Sequence, residues 1–192
     1  MSSKVQICSN AGLLIGQEPI NDLLEVSDKA TLAFNLYDYV RDSVIRANNW
    51  ACCIKRVTLS PDVDAPAFGF AYQFSLPADC LRVLSISYDE APYEHRVEGL
   101  KLLCNTNQVA LRYLFRNVDE LSYDAGLIEV LTLAMAVRIC PGTSANEGLR
   151  DRLQQDYRSA LIQHRAVDSQ QGTTQSISNS PMLSSHSIGL PQ

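Results

Sequence analysis

Paired carboxylates are the first residues here whose type and spacing could do chemistry, because glycoside hydrolysis needs only two acids. Asp62 and Asp64, Asp89 and Glu90, and Asp119 and Glu120 are such pairs. Each pair also sits in a loop or turn, where acids are ordinarily solvated. Cysteine comes next, at positions 8, 52, 53, 80, 104 and 140. No two of these form C-x-x-C, and His95, His164 and His186 lie far from them in sequence, so zinc-site spacing is absent. A Cys–His nucleophile pair needs proximity only in space. The apolar or strand-like surroundings of Cys80 and Cys104 nevertheless predict inert buried thiols. An even count admits three disulfides, yet the apolar settings favour free thiols in a reducing compartment.

Other catalytic signatures fail to appear. Leu14-Ile15-Gly16-Gln17-Glu18 has a lone glycine and no phosphate-binding lysine. Neither a G-x-S-x-G elbow nor an H-E-x-x-H pair is present. No metal or cofactor is expected. His95, between Glu94 and Arg96, reads as a surface residue near a turn. Arg112 and Arg116 should face solvent or a neighbouring subunit. The net charge of −5 argues against an electrostatic grip on nucleic acid. An acidic wall can still lie beside DNA without holding it. No signal peptide is evident after Met1, and no run reaches the roughly 18 apolar residues of a membrane span, so a soluble protein is expected.

The elements that must position these residues follow from periodicity. A short helix is predicted over 4–15, ending at Gly16 before a loop marked by Pro19. The clearest helix covers 28–49, with Ala33, Tyr37, Val40, Val44 and Ala47 on one apolar stripe. On its surface Asp38 can reach Arg41 and Asp42 can reach Arg46. Residues 53–116 read as a β region of four or five short antiparallel strands. Phe70, Tyr72, Phe74 and Leu76 alternate with smaller or polar residues. Pro77-Ala78-Asp79 turns the chain, and Leu81–Tyr88 forms the next strand. Residues 96–104 and 109–116 are predicted to pair across Asn105-Thr106-Asn107, with Val109, Leu111, Tyr113 and Phe115 on one face. Asp124 is a plausible N-cap for a helix over 124–140, so apolar that it must lie centrally or between subunits. Ser144 and Glu147 fit a capping box opening a final helix over 144–166, with Leu149, Leu153, Tyr157 and Leu161 as its stripe.

The expected fold is therefore α+β: about four helices, with a small antiparallel sheet inserted between the second and third long helices. Residues 1–167 form the body, and residues 168–192 form an extended C-terminal arm. From position 169 onward the arm has no Lys, Arg, Asp or Glu, and cannot bury enough apolar surface to fold alone. Ile177, Met182, Leu183, Ile188 and Leu190 are scattered along it. Either it is a disordered end, or these residues anchor it along another chain.

Several stretches carry a resemblance. "LLIGQEPINDL" (Leu13 to Leu23), "YDYVRDSVIRANNWACCIKRVTL" (Tyr37 to Leu59) and "YQFSLPADCLRVLSI" (Tyr72 to Ile86) are similar, in order, to parts of the tail tubular protein A family. These are head-to-tail adaptors of short-tailed bacteriophages. The first resembles the family's N-terminal loop, the second its long helix, tryptophan and strand, and the third its Leu-Pro-x-Asp-Cys turn. Cys52-Cys53 departs from the family, which has an aromatic residue near the tryptophan. The resemblance implies a virion protein, made in the host cytoplasm, that forms a dodecameric ring beneath the portal protein. The ring would continue the DNA channel and receive the tail tube or nozzle, with genomic DNA passing unbound and no membrane involved. The arm would grip the portal through Ile177, Met182, Leu183, Ile188 and Leu190. The polar loops around Asp62 and Asp89 are candidates for meeting the nozzle. Tyr37, Trp50, Pro77 and Asp79 would be structural, with Trp50 packed against the sheet at the exit of the long helix. Cys52 and Cys53 would begin the strand and point to opposite faces. Two other readings stand beside this one: a virion-carried peptidoglycan hydrolase using a carboxylate pair, and a host-side α+β interaction module.

Overall fold

A computed structural model describes residues 3–21, 28–86, 94–140 and 147–170. Among these residues the elements run α1 (Lys4–Leu14), α2 (Asp28–Ala47), β1 (Ile54–Leu59), β2 (Tyr72–Ser75), β3 (Cys80–Ile86), β4 (His95–Glu98), β5 (Lys101–Cys104), β6 (Val109–Phe115), α3 (Ala125–Ile139) and α4 (Glu147–Gln170). The α+β order expected from periodicity holds, with the strands inserted between the second and third helices.

The helices form where side chains satisfy their free ends and apolar stripes meet. The Ser3 hydroxyl accepts from the Gln6 N–H at the start of α1, and Asp124 accepts from the Leu127 N–H at 2.7 Å at the start of α3. On α2, Ala33, Tyr37, Val40 and Val44 are buried, whereas Ala47 is exposed. Leu153 of α4 is buried, and Leu149, Tyr157 and Leu161 pack on the same core. Helix α3 is apolar nearly all round, apart from exposed Glu129 and Arg138, because it touches α1, α2 and α4. It is central within its own chain.

The strands form two antiparallel three-stranded sheets, ordered β1-β6-β3 and β2-β5-β4. Alternation along β6 gives the sheets two different neighbours. Val109, Leu111 and Tyr113 join Phe74, Leu102 and Cys104 in a core between the sheets, with Phe115 packed against it. Leu114 points the other way, into the helical core, where Ile54, Leu81 and Leu84 also pack. The layers are thus helices, first sheet, second sheet. Each fully buried Leu or Phe in these cores stabilises by about 1.5–3 kcal/mol.

The two segments predicted to form one hairpin do not pair with each other. Residues 96–104 are broken by a tight turn at Gly99-Leu100, so Glu98 pairs with Lys101 and β4 folds back on β5. Gly99 adopts φ 59°, the positive value such turns demand. Strand β6 instead lies between β1 and β3, with Ile54 opposite Leu114 and Ile86 opposite Leu111. The strand count rises to six among the described residues, and Asn105-Thr106-Asn107 leads from one sheet to the other.

Two surface pairings also differ. Asp38 does bond Arg41 at 2.9 Å, but Asp42 serves Arg41 and Arg116, at 2.9 and 2.7 Å. Arg46 donates instead to the Leu81 carbonyl at 3.1 Å, tying the end of α2 to β3. Helix α4 continues to Gln170, past the boundary expected at 168. Ser144, the turn predicted at 89–92, most of the 21–27 connection and the arm from 171 lie outside the described residues.

Candidate interaction surface

The Trp50-Ala51-Cys52-Cys53 joint is built from the end of α2 outward. The last carbonyls of a helix have no partner within it. Trp50 supplies one: its Nε1–H donates to the Val44 carbonyl at 3.0 Å, and the indole is almost completely buried. The ring lies in the core shared by the helices and the first sheet, with the His164 ring centroid 6.4 Å away. Ala51–Cys53 then form a single 3₁₀ turn rather than the start of a strand. The sulfurs are therefore not on opposite faces but 3.9 Å apart. The hydrogen bond from Cys53 holds the Cys52 thiol below its ordinary range, and the same bond together with burial pushes Cys53 up. Cys52 Sγ also lies 3.6 Å from Asp124 Oδ2, so the joint is linked to the cap of α3. All six thiols are free, and burial pushes Cys8 up to about 12.

The candidate acids are engaged in local architecture. Asp62 takes Lys101 Nζ at 2.6 Å and the Ser75 hydroxyl at 2.9 Å, which holds its carboxyl below the usual range. Asp64 is exposed. Asp119 accepts from the Leu121 N–H, and Glu120 accepts from the Tyr37 hydroxyl at 3.1 Å. Burial and the neighbouring Glu120 raise that hydroxyl. Asp89 and Glu90 lie outside the described residues. Asp62 and the Asp119–Glu120 pair are not brought together by any contact described among these residues. His95 and Arg112 are exposed, and Arg116 is paired with Asp42. Among the described residues no group of three or more His, Cys, Asp or Glu side chains could hold a metal ion, and no helix is long and apolar enough to cross a membrane.

The Pro77–Asp79 turn is a tie between three strands. The Cys80 N–H closes it on the Pro77 carbonyl at 2.9 Å. Asp79 takes Lys55 of β1 at 2.9 Å and the Tyr113 hydroxyl of β6 at 3.1 Å, and its carbonyl accepts from the Arg116 N–H at 2.7 Å. Burial opposes the charged carboxylate, but Lys55 and Tyr113 outweigh it and hold Asp79 below its ordinary value.

Exposed apolar side chains occur on the helices, at Leu13, Phe34, Tyr39 and Ile162, but the two most exposed lie in the loop between β1 and β2. Residues 60–71 connect β1 to β2. The loop is pinned at one end by the Asp62 N–H on the Gln73 carbonyl and by the Asp62–Lys101 pair. At the other end the Ala71 N–H donates to Asn105 Oδ1 at 3.0 Å. Between these anchors Val63 is fully exposed and Phe68 is 88% exposed. The adjoining β4–β5 hairpin presents Val97 and Leu100, and Lys101 next to Leu100 is the partner of Asp62. Two anchored ends and an apolar middle leave an exposed apolar platform at this end of the β region. The polar loop at Asp62 was legible from sequence. Its apolar residues were overlooked, although Val63 and Phe68 stand alone among turn formers, where no core position is available to them. The arm residues Ile177, Met182, Leu183, Ile188 and Leu190 lie outside the described residues.

Compared with known proteins, the chain matches no protein-family model and no curated protein.

Proposed function

We propose that this chain is a structural head-to-tail adaptor of the tail tubular protein A type. In this reading, copies form a ring beneath the portal protein of a short-tailed bacteriophage, a dodecamer by resemblance. The ring continues the channel through which genomic DNA passes, and it receives the tail tube or nozzle. One observation carries the reading: the three stretches that resemble the family fall on consecutive parts of one frame. Leu13 to Leu23 spans the exit of α1, Tyr37 to Leu59 spans α2, the Trp50 joint and β1, and Tyr72 to Ile86 spans β2, the Pro77–Asp79 turn and β3. The platform bearing Val63, Phe68, Val97 and Leu100 supports it as a surface for a neighbouring subunit or the nozzle. Helix α3 is occupied within its own chain, so contact between copies falls to such exposed elements.

Residues 171–192 would dock on the portal through Ile177, Met182, Leu183, Ile188 and Leu190. The test is co-sedimentation with purified portal rings. The full chain should travel with the rings, and a chain lacking 171–192 should stay folded by circular dichroism yet remain largely unbound. Equal attachment of both would remove the arm from the account, and attachment of neither would remove the adaptor reading.

A further inference from the structure

Where α2 ends, beside β3 and α4, a cleft of about 300 Å³ is lined by Ala47, Asn49, Arg82, Val83, Leu84 and Arg165. Arg46 does not line it, but precedes Ala47 in sequence and is bonded to the carbonyl of Leu81, the neighbour of Arg82. None of the three guanidinium groups makes an ion pair among the described residues. Arg82 Nη2 donates to Asn49 Oδ1, which fixes the plane of the guanidinium. Its Nε is buried and has no hydrogen-bond partner among the described residues. An unmet buried donor of a charged group is costly, and native structures rarely leave one without a ligand or water.

We propose that this cleft is an oxyanion-binding site, in which Arg46, Arg82 and Arg165 converge on a phosphate or carboxylate group. The chemistry fits guanidinium groups, whose planar forks match such oxygens two at a time. The negative end of α2 offsets roughly half a unit charge, against three full positive charges. Burial and the charges of Arg46 and Arg165 hold the Arg82 guanidinium below its ordinary value, as expected where positive groups crowd together. An anion in the cleft relieves that repulsion. The oxygen atoms have two sources: free phosphate, or a carboxylate carried by another protein chain. The site stands on these residues alone and does not depend on the adaptor reading.

Isothermal titration of the full chain at fixed ionic strength decides the matter, with inorganic phosphate in one arm and succinate in the other. Saturable binding is expected, weakened about tenfold or more in Arg165→Gln, since a charge-assisted contact is lost. Arg165 is exposed on α4, so this variant keeps its fold; Arg82→Gln should abolish binding, with circular dichroism checking that it too is folded. Binding of phosphate alone assigns a phosphate ligand, and binding of succinate assigns a carboxylate from a partner. Heat no different from a sodium chloride control in both arms, or binding unchanged in Arg165→Gln, overturns the proposal.

Discussion

Gly126 and His164 give the sharpest test of how α3 and α4 are fitted together. A Cβ added at Gly126 would stand 2.5 Å from His164 Nδ1 and 2.9 Å from its Cγ. Comfortable contact needs about 3.5 Å, so the ring must retreat by about 1 Å. It is not free to do so: Nε2 lies 2.9 Å from Glu129 Oε2, and the ring also neighbours buried Trp50. Overpacking of this kind costs about 1–3 kcal/mol. Replacing glycine by alanine in a helix returns up to about 1 kcal/mol. Gly126→Ala should therefore destabilise by about 1–2 kcal/mol, or about 2–8 °C in Tm for a chain of this size. In a His164→Ala background the obstacle is gone, and the same change should be neutral or stabilising. Thermal melts and urea titrations followed at 222 nm, over all four combinations, give the coupling between the two sites. Equal destabilisation by Gly126→Ala in both backgrounds would refute the reasoning.

Three further outcomes follow from the same geometry. Trp50→Ala should cost about 3–5 kcal/mol, because it opens a cavity and leaves the Val44 carbonyl without its donor; a urea midpoint equal to wild type contradicts this. Asp79 has a lowered folded-state pKa, so its contribution is full above its unfolded value of about 3.9 and is lost as pH falls through the folded value. Asp79→Asn should thus lower stability near neutral pH and flatten the loss between about pH 4 and the folded value; an unchanged acid limb in urea titrations counts against the tie. Cys52, half-buried and held below its ordinary pKa by the Cys53 hydrogen bond, should alkylate first with iodoacetamide at neutral pH. Peptide mapping that finds Cys80 ahead of it is the contrary result, since burial raises the Cys80 thiol.

Helices were legible because their signals are local. The apolar stripe of α2 and the Asp124 cap need only neighbours within a few residues. Sheet pairing is not local, and there the sequence was ambiguous. A run from Arg96 to Cys104 has strand composition throughout, and only Gly99 marks the turn that divides it. Leu114 was equally obscure: it breaks the alternation of Val109, Leu111 and Tyr113 because the first sheet is covered on both faces, a condition set by distant helices. The vicinal cysteines were misplaced for a related reason. Their composition fits a strand, but the donor that Trp50 sends back to Val44 turns the chain first. Arg46 could reach Asp42 by helical spacing, yet the Leu81 carbonyl on β3 is its partner. The basic cleft was not anticipated, since Arg46, Arg82 and Arg165 are remote in sequence and meet only where three elements converge.

The central claim is assembly into a ring on a portal, and electron microscopy of the full-length protein mixed with portal rings tests it most directly. The account predicts added density on one face of each portal, repeating with the portal's own rotational symmetry. Bare portals beside free monomers, at concentrations well above those in an assembling virion, would contradict it.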